Sequence, residues 1–196
     1  MQPVQEIYQQ LSEKKKIVIT MHQKPDADAM GSSLALYHFL KQFGHEVELI
    51  SPTNWARWLD WMEGVKQVYD YELEKAEADK ILEAADWLFC LDYNHFNRTR
   101  HMAPKLASIR CTKILIDHHR EPDEVSFQYG ISNTSKSSTC EMIYDLIVDS
   151  GHRDKINGFI SECLYAGMVA DTGSFRFSST TANVHHAVAA LKELAL

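Results

Sequence analysis

Three short apolar runs, each leading into acidic residues, constrain what this chain can fold into. Lys16-Ile17-Val18-Ile19-Thr20 opens into a polar loop, Asp86-Trp87-Leu88-Phe89-Cys90-Leu91 stops at Asp92, and Thr112-Lys113-Ile114-Leu115-Ile116 stops at Asp117-His118-His119. Runs this short and continuous read as strands buried on both faces, which requires a parallel sheet sheltered by helices. Helical patterns lie between them. The expected fold is therefore α/β, a mainly parallel sheet with helices on both faces, joined by right-handed crossovers that gather the carboxyl ends of the strands on one edge. In open sheets of this kind, that edge is where ligands bind.

The loop after the first run, MHQKPDADAMGSS (residues 21–33), holds His22, Asp26 and Asp28, with Pro25 stiffening the turn, and opens into the helical pattern of residues 34–40. Carboxylates this close repel one another unless positive charge lies between them, and a divalent cation is the simplest source of it. Asp92, the Asp117-His118-His119 run and Asp171 supply matching groups, Asp171 from a later loop. Taken singly, each has a plain reading: His22 as a satisfied surface histidine, Asp26 and Asp28 as turn or cap residues, Asp92 as a loop starter. Adjacent histidines after a strand-end acid have little structural purpose, however, and four such pieces together point to a metal site. Imidazole mixed with carboxylate suits Mn2+, Fe2+, Co2+ or Zn2+. The candidate ligands outnumber what one catalytic ion with open positions accepts. Two ions roughly 3.5–4 Å apart, activating a shared hydroxide for attack on phosphorus, are expected.

At 196 residues the chain is long enough for one well-buried domain. A net charge of −7 argues against gripping a long duplex through its phosphates, though not against a small phosphorylated substrate. No apolar run approaches a membrane span, and the N-terminus lacks the features of a signal peptide. The four cysteines are scattered, with no Cys-x-x-Cys pair, which suits reduced thiols and a cytoplasmic setting. Patterning further predicts an amphipathic helix over 4–13, a strand at 45–50 and a short strand at 67–71. Asn54 would cap a helix whose Trp55, Trp58 and Trp61 pack one face on the core. Helices are expected over 72–85 and 100–107, a strand over 125–131, a Ser138-x-x-Glu141 capping box heading a helix to 148, and helices over 154–170 and from 181.

HQKPDADAMGSS, the strand-end Asp92, Ile116-Asp117-His118-His119 and Val169-Ala170-Asp171-Thr172-Gly173 resemble, in order and spacing, the four motifs of the DHH phosphoesterases, across residues 16–180. The extension Asp-Thr-Gly-Ser-Phe-Arg-Phe (171–177) is most similar to the branch containing the bacterial oligoribonuclease/pAp phosphatase proteins. The resemblance implies hydrolysis of short oligonucleotides or a nucleoside 3',5'-bisphosphate. Inorganic pyrophosphatase, exopolyphosphatase or cyclic-dinucleotide phosphodiesterase activity on the same centre is the alternative, and a non-catalytic binding module is the reading from another class. It implies two divalent ions, Mn2+ first and Mg2+, Co2+ or Zn2+ next. His22 and Asp26 would hold one ion, and Asp28, His118 and Asp171 the other, with Asp92 bridging. His119 would face the scissile phosphate and Asp117 would accept a hydrogen bond from a ligand histidine. Arg176 is a candidate phosphate contact, with a surface role equally open. Ser137, Ser138 and Thr139 head a helix where a phosphate could dock, although capping is the simpler reading. On this resemblance residues 1–196 are the catalytic domain, and the family's C-terminal substrate-binding domain is absent from the chain. A homodimer is compatible with the sequence.

Overall fold

Ile17 and Ile19 project to one side of their strand and Val18 to the other, and both sides are buried. The same alternation recurs in the strands beside it: Phe89 and Ile114 enter the first core, Leu88, Cys90 and Leu115 the second. In a computed structural model, which describes residues 1–194, these strands form the centre of a seven-stranded sheet. The strands are β1 (Gln2–Pro3), β2 (Lys16–Thr20), β3 (Glu46–Ser51), β4 (Val68–Asp70), β5 (Trp87–Leu91), β6 (Thr112–Asp117) and β7 (Tyr129–Ser132). The helices are α1 (Ala27–Lys41), α2 (Lys75–Glu83), α3 (Ala103–Ser108), α4 (Thr139–Asp149), α5 (Gly158–Asp171) and α6 (Ala182–Leu194).

The strand order is β1-β7-β6-β5-β2-β3-β4, with every neighbouring pair parallel. From β2 the chain builds outward through β3 and β4, then returns to build the other flank from β5 through β6 and β7. The reversal falls between β2 and β5. At such a switch point the loops leaving the two strands part in opposite directions and open a crevice on the carboxyl edge.

Helices α2 and α3 cover one face, contributing Ala78, Leu82 and Leu106 to its core. On the other face α1 and α4 pack on the sheet, α5 packs against both, and α6 against α5. Helix α1 is thus buried nearly all round, between sheet and α5. Two glycines permit that close approach. A Cβ on Gly31 would stand 2.5 Å from the Cys163 carbonyl oxygen, and one on Gly167 would stand 2.2 Å from Cys140 Sγ and 2.9 Å from Asp28 Oδ1.

Several sequence expectations are corrected. The tryptophan helix does not form: residues 57–59 make a single 3-10 turn, Leu59 and Met62 take the buried places, and Trp58 and Trp61 are 60% and 56% exposed. The segment expected as helix 4–13 is a 3-10 helix over Val4–Gln10, preceded by the short edge strand β1. Helix α1 starts at Ala27, ahead of the apolar pattern, because its first turns are small residues facing α5. Only half of the capping box forms. Ser138 accepts from the Glu141 N–H, while the Glu141 carboxylate takes the N–H and hydroxyl of Ser137. Among the described residues no helix is long and apolar enough to cross a membrane.

Candidate metal centre

The crevice between β2 and β5 is lined by groups from five elements. His22 lies just beyond β2, and its Nδ1 sits 2.8 Å from the Gln23 carbonyl oxygen. A carbonyl only accepts, so Nδ1 carries the proton and Nε2 turns its lone pair toward the acids. Asp26 is the N-cap of α1. Its Oδ1 accepts from the N–H groups of Asp28 and Ala29, while its Oδ2 lies 3.8 Å from His22 Nε2. Asp28, two positions further in, is fully buried and faces the N-terminus of α4. There it accepts from the N–H of Thr139 at 2.7 Å and of Cys140 at 2.8 Å. These donors are the ones left open at a helix start, so α4 holds a carboxylate of this same chain there, beside the Ser138 cap that the sequence favoured over a phosphate.

Asp92 follows β5 in the left-handed region, at φ 61°, a conformation Asp tolerates better than most residues. The turn points its carboxylate back into the crevice. Oδ2 lies 3.4 Å from His22 Nε2, and Oδ1 lies 3.4 Å from His118 Nε2 and accepts from the Thr139 hydroxyl at 3.0 Å. His118 Nε2 also stands 3.3 Å from Asp171 Oδ2 and 3.7 Å from Asp28 Oδ2. Asp171 comes not from a loop but from the last position of α5.

Three trios result: His22, Asp26 and Asp92; Asp28, His118 and Asp171; Asp92, His118 and His119. Within each, one ligand atom per residue lies within 4.8 Å of the others. His118 Nε2 is buried and has no hydrogen-bond partner among the described residues, although three carboxylates surround it. A buried ring nitrogen left without a partner among three carboxylates is a position that a cation, displacing its proton, would complete.

The crowding shows in the acidities. Burial, then the charges of Asp92 and Asp171, hold the Asp28 carboxyl well above the carboxylate range, against the Cys140 N–H. Burial, then Asp92 and Asp26, push Asp171 up to about 6. Burial also acts on Asp92, but His118 and His22 prevail and hold it well below its ordinary value. For His118, burial opposes the charge, yet Asp92, Asp28 and Asp171 outweigh it and push the pKa up to about 9. His22 is raised in the same way, chiefly by Asp92 against burial. Divalent charge placed among these groups would relieve all of this at once.

Asp117 does not meet His118. Its Oδ1 lies 2.7 Å from His119 Nδ1 and its Oδ2 accepts the His119 N–H at 3.0 Å. Arg176 is exposed, and its Nε donates to the Gly173 carbonyl at 2.7 Å. Ser138 caps α4 and Ser137 serves Glu141. Thr139 and the Cys140 N–H, which fix Asp92 and Asp28, were not foreseen in these roles. Their partners lie 47 and 112 positions away, and no local pattern encodes that.

Fold and site together define a class: a parallel α/β domain with a carboxylate–imidazole cluster at its topological switch point. The chain belongs to the DHH family, residues 16–168 matching the DHH family, N-terminal domain. It is 31% identical over 176 residues to the bifunctional oligoribonuclease and PAP phosphatase NrnA of Thermus thermophilus, covering 89% of this chain and 49% of that one. To the protein of the same name from Bacillus subtilis it is 29% identical over 177 residues, 90% of this chain and 52% of that one. The chain thus spans about half the length of the curated relatives it matches. The solved structure of an exopolyphosphatase-related protein from Bacteroides fragilis matches with a TM-score of 0.93 at 35% identity, over 97% of this chain and 56% of that one.

Proposed function

We propose that this chain forms the catalytic domain of a cytoplasmic, divalent-cation-dependent phosphoesterase acting on short oligonucleotides or nucleoside 3',5'-bisphosphates. The observation that carries this reading is the position of Asp92, whose two carboxylate oxygens face His22 on one side and His118 on the other. A single carboxylate shared in this way divides the cluster into two neighbouring cation positions. His22 and Asp26 belong to one; Asp28, His118 and Asp171 belong to the other. The donor set, imidazole with several carboxylates and no thiolate, suits Mn2+ first, with Mg2+, Co2+ or Zn2+ next.

Two such cations would supply a water acidified enough to attack phosphorus and would screen the phosphate oxygens. The protein's own groups do the rest. Asp28, clamped by the start of α4, and Asp92, clamped by the Thr139 hydroxyl, keep their oxygens where the geometry requires them. His119 gives its Nδ1–H to Asp117, leaving Nε2 as the ring atom that meets the substrate phosphate. The names of the relatives support small nucleotidic substrates, and unpaired cysteines support a reducing compartment.

The test is metal analysis of the purified protein joined to a substrate panel of diadenylate, pAp, pyrophosphate and polyphosphate. The reading expects Mn2+-stimulated release of mononucleotide or phosphate from the first two, lost on Asp92→Ala in a folded variant. Turnover of pyrophosphate or polyphosphate alone would replace the substrate class. A protein that binds no metal and turns over nothing would leave only a binding module.

A further inference from the structure

At the opposite, amino edge of the sheet lies an open groove of about 920 Å³, unconnected with the carboxylate cluster. It runs under the first residues of β2, β5 and β6, one strand length, roughly 17–20 Å, from the metal centre. The chain as a whole carries 20 Lys and Arg against 27 Asp and Glu. The groove reverses that balance, with Lys14, Lys15, Arg110 and Lys113 set against one acid, Asp86. That acid is already engaged, its Oδ2 accepting the Lys16 N–H at 2.8 Å. Lys15 pairs with Glu13 at 3.0 Å and sits 5.0 Å over the Trp87 ring.

The remaining three cations have no carboxylate within 4.0 Å among the described residues. Lys14 and Arg110 are exposed and tolerate this. Lys113 is only 8% exposed, and its ammonium makes one hydrogen bond, to the Ile109 carbonyl at 2.8 Å. That contact caps the end of α3, but a carbonyl dipole does not neutralise a full charge. A buried ammonium with unused donors and two further cations on the same groove is an arrangement that an anion would complete.

We propose that this groove is a second ligand site, for an anion carrying a chain of two or more phosphates, either free or attached to a nucleoside. Linked phosphates carry several negative charges, which suits three cations on one groove better than a single carboxylate would. Trp87 and Ile109 also line the groove, and titration with ATP asks whether a nucleoside adds to the phosphates.

Cys111 supplies the readout. It lines the groove and is half-buried, whereas Cys90, Cys140 and Cys163 are buried, so it is the thiol that alkylates first. Tripolyphosphate, ATP and adenosine are titrated into the protein, by calorimetry and by the rate of Cys111 alkylation. Tripolyphosphate and ATP should bind and slow the alkylation, and adenosine should do neither. Affinity should fall at least about tenfold in a Lys14→Glu/Arg110→Glu double variant and stay unchanged in Asp92→Asn. Equal affinity for both probes assigns recognition to the phosphates alone; tighter ATP binding adds the nucleoside. The proposal is overturned by any of three results: no binding up to about 1 mM, binding that survives the double charge reversal, or binding that Asp92→Asn abolishes. None of these results bears on hydrolysis at the opposite edge.

Discussion

Asp117 holds His119 twice, once through the ring Nδ1–H at 2.7 Å and once through the backbone N–H at 3.0 Å. Each oxygen of a buried carboxylate is committed to one histidine, which fixes both the loop and the tautomer. Asn at position 117 keeps the shape but lets the ring rotate or change tautomer. Asp117→Asn should lower turnover on the order of 10–100-fold with bound metal unchanged. Steady-state kinetics beside metal analysis checks this, and equal loss of metal and rate would mean that His119 is not the group affected.

Asp92 stands between His22 and His118, and its removal should be felt on both sides. Asp92→Asn should cost more than about a hundredfold in turnover and weaken Mn2+ binding by calorimetry. In the metal-free protein the His118 pKa should drop from about 9 toward its ordinary value, because Asp92 heads the groups that raise it. Histidine titration by NMR reads that change directly; an unmoved His118 would show that the two side chains do not interact.

The same raised pKa values set the sign of the pH dependence. His118 titrates higher in the fold than in the unfolded chain, so its stabilising contribution is complete below about pH 6.5 and disappears as pH rises through about 9. Asp171, raised to about 6, has already lost its contribution above that pH. With chelator present, the melting temperature should therefore fall between pH 6 and pH 9 by a few degrees. Mn2+ affinity should rise over the same interval, since the ion competes with the His118 proton. A melting temperature that rises with pH in chelator would contradict the picture of crowded, cation-free carboxylates.

Gly167 is where α5, α4 and Asp28 meet. An Ala there would press its Cβ against Cys140 Sγ and Asp28, both immobile, and should cost about 1–3 kcal/mol while displacing a candidate ligand. Gly158→Ala is the control, because a Cβ there meets nothing within 4 Å. Thermal melts and Mn2+ titration of the two variants should diverge; matching behaviour would show that the helices have slack.

The parts of this fold that were legible in sequence are those where burial leaves a local trace. Strands β5 and β6 announce themselves because both faces are covered, which leaves Trp87–Leu91 and Ile114–Ile116 as continuous apolar runs. His22, Asp26, Asp28, Asp92 and His118 were legible because acids and imidazoles just after strands have few other uses, whereas Asp171, at the end of α5, was reached only through the motif it sits in; the structure brings all six into one crevice. The tryptophans misled for a physical reason. Their spacing of three fits a helical face, but Leu59 and Met62 fill the core first, and two indoles remain outside. The opening of α1 was obscured by small residues, whose purpose is proximity to α5 rather than hydrophobic burial. Thr139 was invisible as a support for Asp92 because only the folded chain makes them neighbours.

The six candidate ligands are divided between two mechanical bodies. His22, Asp92 and His118 ride on strand ends, whereas Asp26 and Asp28 ride on the start of α1 and Asp171 on the end of α5. The site is thus assembled by registration of one layer against the other, and a slip of an ångström between them would change every ligand spacing. Transplanting the strand loops into another parallel scaffold would carry only half of the centre. Any engineering that loosens the helical layer would detune the chemistry without touching a ligand.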